Sequence, residues 1–123
     1  MSGIERLEDI NAWQKARDLA EFIYHTTAQG DFARDYSLND QISRASVSAM
    51  NNIAEGYACQ TDNEFVDFLY VALGSVAEVQ NQLNVARDLT YISSEQFKRA
   101  YELSSETAGL INGFIEYLRR TDQ

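Results

Sequence analysis

Seven positions, Phe65, Leu69, Ala72, Val76, Val79, Leu83 and Ala86, alternate steps of four and three without a break. Only a helix turns such residues to one side, because 3.6 residues per turn carries steps of three and four to the same face. Thr61-Asp62-Asn63-Glu64, just ahead, is a capping box, with a hydroxyl for an open amide and an acidic residue three places on. The spacing predicts a helix over 62–89, about 40 Å long at ~1.5 Å per residue. A small domain accommodates that length only if its other helices run alongside. A second fault-free run follows: Phe97, Ala100, Ser104, Thr107, Ile111, Phe114 and Leu118 step by three and four behind Ser93 and Gln96. It predicts a helix over 94–120.

Two further stripes precede these. Trp13, Ala16, Ala20, Ile23 and Thr27, widened by Leu19 and Tyr24, predict a helix over 11–28, opened by Asn11 with Gln14 and closed by Gly30 in the left-handed conformation. Leu38, Ile42, Ala45, Ala49, Ile53 and Gly56 predict another over 37–58, opened by Ser37 with Asp40; its small residues let a neighbour approach closely. Proline is absent and six glycines are scattered along the chain, leaving little of the punctuation a many-stranded fold needs. Three connections of a few residues make consecutive helices antiparallel. The expected fold class is all-α, an antiparallel up-down-up-down four-helix bundle forming a single domain over 1–123. Leu103, Leu110 and Tyr117 ride beside the seam of the last helix, and Phe68 and Leu73 lie off the seam before it. That is more apolar surface than a lone bundle hides, so a homo-oligomer is expected.

Charge narrows the partners. Ten Lys and Arg against nineteen Asp and Glu give a net charge of -9, spread along the chain without an arm or tail. Nonspecific nucleic-acid affinity comes from cations displacing counterions, so this balance disfavours RNA and anionic lipid while leaving room for a local basic patch. The single cysteine, Cys59, makes no internal disulfide and fits a reducing compartment. Ile4-Glu5-Arg6-Leu7-Glu8-Asp9 is acidic where a signal peptide is basic and then apolar. The longest apolar stretch, Phe68 to Ala77, is bracketed by Asp67 and Glu78, too short to span a membrane. A cytoplasmic protein with no membrane partner is expected.

Catalytic signatures are missing from the sequence. A di-iron bundle commonly takes two Glu-x-x-His pairs, whereas His25 is the one histidine and reads as a surface or helix-end residue. There is no nucleophile elbow, Walker loop or dinucleotide fingerprint. No catalytic residue, metal or cofactor is expected. One polar feature rises above background: Gln41, Arg44, Ser48, Asn52 and Glu55 recur at three, four, four and three, in one narrow strip beside the apolar face. Ser75 and Glu78, next to Gly74, form its facing half, Gly74 permitting close approach. The strip reads either as a ligand or partner site or as a hydrogen-bond seam between helices, in which Arg44 and Glu55 find opposite charges and Asn52 fixes register. Tyr57, Tyr91, Tyr101 and Tyr117 offer rings for base stacking, though aromatics at helical spacing are core more often than platform.

Certain segments carry a family likeness: Asp9 through Ala16, Tyr24, Tyr36 through Ala45, Asn52-Ile53-Ala54-Glu55-Gly56, and Glu64-Phe65 through Leu73-Gly74-Ser75 with Glu78. In order and spacing, over about residues 7–92, the chain resembles the four-helix-bundle proteins encoded in intervening sequences of bacterial 23S rRNA genes. The resemblance implies an antiparallel four-helix bundle assembled as a homopentamer. In architecture it is also similar to the accessory variability determinant of diversity-generating retroelements, a basic pentamer that binds nucleic acid and a reverse transcriptase. The family usually carries prolines before its second helix and ahead of the Asn-Ile-Ala-Glu-Gly stretch; this chain has Gln29-Gly30-Asp31-Phe32 and Ala49-Met50-Asn51 there. A helix interior is better served without proline.

These readings lead to a noncatalytic oligomeric interaction protein, with the partner left between RNA and protein. Arg87, Lys98, Arg99, Arg119 and Arg120 decide between them. Clustered at one end they favour RNA, and dispersed among carboxylates they favour a protein partner. The alternative is a small-ligand binder or enzyme built on Arg44, Asn52 and Glu55.

Overall fold

The computed structural model describes residues 4–121 and contains five α-helices, with no strand among the described residues. A single 3-10 turn, Leu7–Asp9, leads into α1 (Asn11–Thr27). Then come α2 (Gly30–Arg34), α3 (Tyr36–Tyr57), α4 (Asp62–Asp88) and α5 (Ser94–Thr121). The four long helices match the four sequence stripes to within a residue or so at each end, as far as such boundaries are ever defined. The short α2 is an addition. It fills what reads as a plain turn, starting on Gly30 at φ +56, where glycine adopts the left-handed conformation without a Cβ penalty. Its purpose is Phe32, fully buried and 5.4 Å from the Tyr91 ring.

Caps explain the ends, with two corrections. The Thr61 hydroxyl accepts from the Glu64 amide at 3.2 Å and donates to the Glu64 carboxylate at 2.9 Å. Ser93 and Gln96 close a reciprocal box, Gln96 N–H to Ser93 Oγ at 3.1 Å and Ser93 N–H to Gln96 Oε1 at 2.9 Å. Asn11, however, is already inside α1; the preceding residue Ile10 has no capping side chain, and Gln14 Nε2 donates to the Glu8 carbonyl at 2.6 Å instead. Nor does Ser37 open α3. Asp35 does, accepting from the Leu38 amide at 3.1 Å while also accepting the Tyr91 hydroxyl at 2.9 Å. A carboxylate serves two donors at once, which a serine hydroxyl in the next turn does not match.

All seven residues of the α4 seam are buried, as are Leu38, Ile42, Ala45, Ala49, Ile53 and Gly56 of α3. α3 packs on α4, α4 on α5, α5 on α1 and α1 on α3. The core divides lengthwise. One cluster centres on Ile53, Phe65, Leu69 and Ile111, the other on Leu19, Phe32, Ile42 and Leu83. Between them along the helices lie buried Ser46, Ser104 and Thr107, whose hydroxyls donate to carbonyls three or four residues back on their own helices. A polar waist is thereby satisfied without any partner helix, except that Ser104 also accepts from Gln80 of α4 at 2.9 Å.

The surplus apolar residues are redistributed. Leu103 is buried and Leu73 packs on the core, so they leave no excess; Phe68 is half-buried beside Gly56. Tyr24, which adjoins the α1 stripe in sequence, stands 53% exposed. Leu110 and Tyr117 do stay exposed, together with Tyr70, Val71, Val85 and Leu89. Gly74 permits no close approach within the chain, since a Cβ there meets nothing within 4 Å.

Candidate functional site

The two halves of the polar strip face each other where α3 lies on α4. Ser48 and Ser75 join their hydroxyls at 2.9 Å across the helix pair. Asn52 Nδ2 donates back to the Ser48 carbonyl at 2.9 Å and to its hydroxyl at 3.1 Å. Asn52 therefore holds Ser48 in place instead of setting register against α4. Gln41, Arg44 and Ser48 from α3 and Glu78 and Gln82 from α4 line an open groove of about 460 Å³. Gln41 Nε2 donates to Ser37 Oγ at 3.4 Å, one turn away.

The pairing expected for the charged members does not form. Arg44 holds Asp40 of its own helix at 2.9 Å through Nε, not Glu55. That hydrogen bond, reinforced by the charge of Asp40, raises the Arg44 pKa above its ordinary value. Glu55 lies exposed near the end of α3 and is not part of the groove lining; its carbonyl accepts from Cys59 Sγ at 3.3 Å. Arg44, Asn52 and Glu55 thus do not converge on one point. The Cys59 thiol is pushed up in pKa by desolvation first, then by the negative charges of Glu64 and Glu55, which makes it a poor nucleophile at neutral pH.

Gln82 is a member that the strip reading missed. It is nine-tenths buried, and among the described residues its Oε1 accepts no hydrogen bond. A buried acceptor left open is unfavourable, and with no surface of its own Oε1 is turned into the protein and not into the groove. The signal was present in the spacing, since Gln82 stands four residues after Glu78 and seven after Ser75.

The five basic candidates separate into two groups. Arg87 stacks 4.0 Å from the centre of the Phe97 ring, close in sequence to Lys98 and Arg99 at the start of α5. Arg119 and Arg120 stand at the other end of that helix. Arg119 lies over Tyr70 at 5.3 Å, and Arg120 pairs with Glu116 at 3.3 Å, as Arg99 approaches Glu102 at 3.9 Å. The tyrosines do not form a platform either: Tyr57 donates to the Glu5 carbonyl, Tyr91 to Asp35, and Tyr101 lies against Phe97. Among the described residues no three His, Cys, Asp or Glu side chains converge as a metal site, and no helix is long and apolar enough to cross a membrane.

Comparison with known proteins adds the family. A crystal structure of a protein of unknown function from the S23 ribosomal protein family of Bacteroides thetaiotaomicron superposes with a TM-score of 0.77. It is 24% identical, and the likeness covers 85% of this chain and 97% of that one, which shows the helical fold. No curated protein matches the sequence. The model of the 23S rRNA-intervening sequence proteins matches residues 8–113, from the 3-10 turn deep into α5 and therefore beyond the segments that carry the motifs. By that match the chain belongs to the 23S rRNA-intervening sequence protein family.

Proposed function

We propose that this protein is a noncatalytic scaffold of the cytoplasm whose four long helices run up-down-up-down, whose copies assemble into a homopentamer, and whose partner is another protein. Cross-helix pairs support the antiparallel course: Gly56 and Ser48 of α3 meet Phe65 and Ser75 of α4, and Arg119 and Ser104 of α5 meet Tyr70 and Gln80 of α4. Later residues of one helix meet earlier residues of the next in each case. Five copies follow from the family likeness, and the exposed Tyr70, Val71, Val85, Leu89 and Tyr117 supply apolar surface for assembly.

The observation that carries the choice of partner is the dispersal of the cations. RNA binding needs positive groups aligned along a backbone, each phosphate contact displacing counterions. Here Arg87 and Arg119 are spent on aromatic rings, Arg99 and Arg120 sit by carboxylates, and the two groups lie toward opposite ends of α5, Arg87 reaching its Phe97 from α4. The net charge of -9 acts in the same direction. Native mass spectrometry of protein purified at low salt tests the reading. A bare peak of five subunits is expected. Added mass that ribonuclease removes would replace the protein partner by RNA, and a bare monomer would remove the assembly itself.

A further inference from the structure

Arginine sits over an aromatic ring at three places in this chain: Arg17 over Trp13 at 5.2 Å, Arg87 over Phe97 at 4.0 Å and Arg119 over Tyr70 at 5.3 Å. A guanidinium is planar and weakly hydrated, so it gains more on a ring face than a lysine ammonium does. Two tyrosines at the α2 end of the bundle carry no such cation among the described residues. Tyr24 of α1 is 53% exposed, and Tyr36, at the start of α3, is 80% exposed.

The two rings belong to one surface. Tyr24 and Tyr36 line a groove of about 770 Å³ together with Asp40. Tyr36 also lines an adjoining groove of about 640 Å³, with Tyr91, Asp31 and Asp35. Among the residues lining either groove Arg34 is the one cation, held by Asp31 at 2.8 Å, while Arg44 takes Asp40 from outside the lining. Three carboxylates therefore meet two guanidiniums. Both ion pairs are exposed and lie within one helical turn, where such pairs are weak and yield to a competing guanidinium. Negative charge is felt at the rings: the hydrogen bond to Asp35, burial, and then the charges of Asp35 and Asp31 raise the Tyr91 pKa.

Ring faces beside carboxylates suit an arginine side chain, the face taking the plane of the guanidinium and the carboxylate its N–H edge. The net charge of -9 draws a basic chain toward this protein and repels a second copy of it. We infer that the surface formed by Tyr24 and Tyr36 docks an arginine-bearing segment of a partner protein, its guanidinium groups stacking on the two rings. The inference rests on the protein-partner reading above and deepens it by naming the surface and the chemistry of what it binds.

Fluorescence anisotropy tests it with a dye-labelled Gly-Arg repeat peptide and its Gly-Lys counterpart of equal length and charge, added to the full chain. Bulk attraction to an acidic protein treats the two alike, whereas stacking separates them. The arginine peptide is expected to bind several-fold more tightly than the lysine peptide. Tyr36→Ala, and more fully Tyr36→Ala with Tyr24→Ala, should abolish that preference, and Tyr36→Phe should keep it. Circular dichroism confirms that each variant stays helical, as expected for rings this exposed. Equal affinity for the two peptides, no binding of either, or a preference that survives the double variant overturns the inference. The protein-partner reading is then still decided separately, by the ribonuclease treatment of the native assembly.

Discussion

A single methyl group has opposite effects at two glycines of this chain. A Cβ on Gly56 would stand 2.5 Å from Phe65 Cδ1 and 3.1 Å from Phe68 Cβ. The Phe65 ring is 1% exposed and held against Phe114 at 5.1 Å between centroids, so it has little room to withdraw. Overpacking of this kind costs about 1–3 kcal/mol, partly offset by alanine's helix propensity, worth ~1 kcal/mol over glycine. Gly56→Ala is expected to destabilise by up to about 2 kcal/mol net. Gly74→Ala, exposed and with nothing near, is expected to stabilise by about 0.5–1 kcal/mol through the unfolded chain's entropy. Urea unfolding of both variants checks the pair, and equal shifts would mean that the Phe65 ring gives way. The sequence reading assigned close approach to both glycines. Gly56 lies on the apolar seam of its helix and earned the role, while Gly74 sits off the seam of α4, where periodicity alone offers it no neighbour.

Helix starts were legible where the capping residue and its partner three places on close within the same turn, as Thr61 with Glu64 and Ser93 with Gln96, and illegible where the deciding partner lay elsewhere in the chain. Asp35-Tyr36-Ser37 holds two candidates, and local propensity ranks serine and aspartate alike. The choice falls to Tyr91, whose hydroxyl reaches Asp35 across fifty-six residues of chain, a partner that no local window contains. α2 escaped for a related reason: five residues are too few to show a period, and its fixing contact, Phe32 against Tyr91, also comes from afar. Asp35→Ala should therefore cost about 1 kcal/mol for the lost cap and more for the stranded Tyr91 hydroxyl, whereas Ser37→Ala should stay within ~0.5 kcal/mol of wild type. Thermal melts followed by circular dichroism compare them. Equal losses would return the cap to Ser37.

Across the whole molecule, charge does little to hold the fold and opposes the proposed assembly. Of the ion pairs among the described residues, Lys15 to Glu106 at 3.1 Å joins two helices, and the others lie three or four residues apart within one segment, where exposed pairs contribute little. The four long helices were readable because burial imposes its period on the sequence. The full lining of the α3/α4 groove was not, because Gln82 stands among polar residues, which a search for apolar periodicity passes over. In the proposed ring every copy brings the same charge of -9, so the copies repel at long range while apolar contact attracts at short range. Salt screens the first, with a Debye length of about 10 Å at 0.1 M, and leaves apolar burial intact. Raising sodium chloride from ~20 mM to ~0.5 M is therefore expected to strengthen assembly, the reverse of a nucleic-acid complex, which weakens steeply over that range. Sedimentation velocity across the series reads the answer. A ring that falls apart as salt rises would mean that ion pairs close it, and not the exposed Val71, Val85 and Leu89.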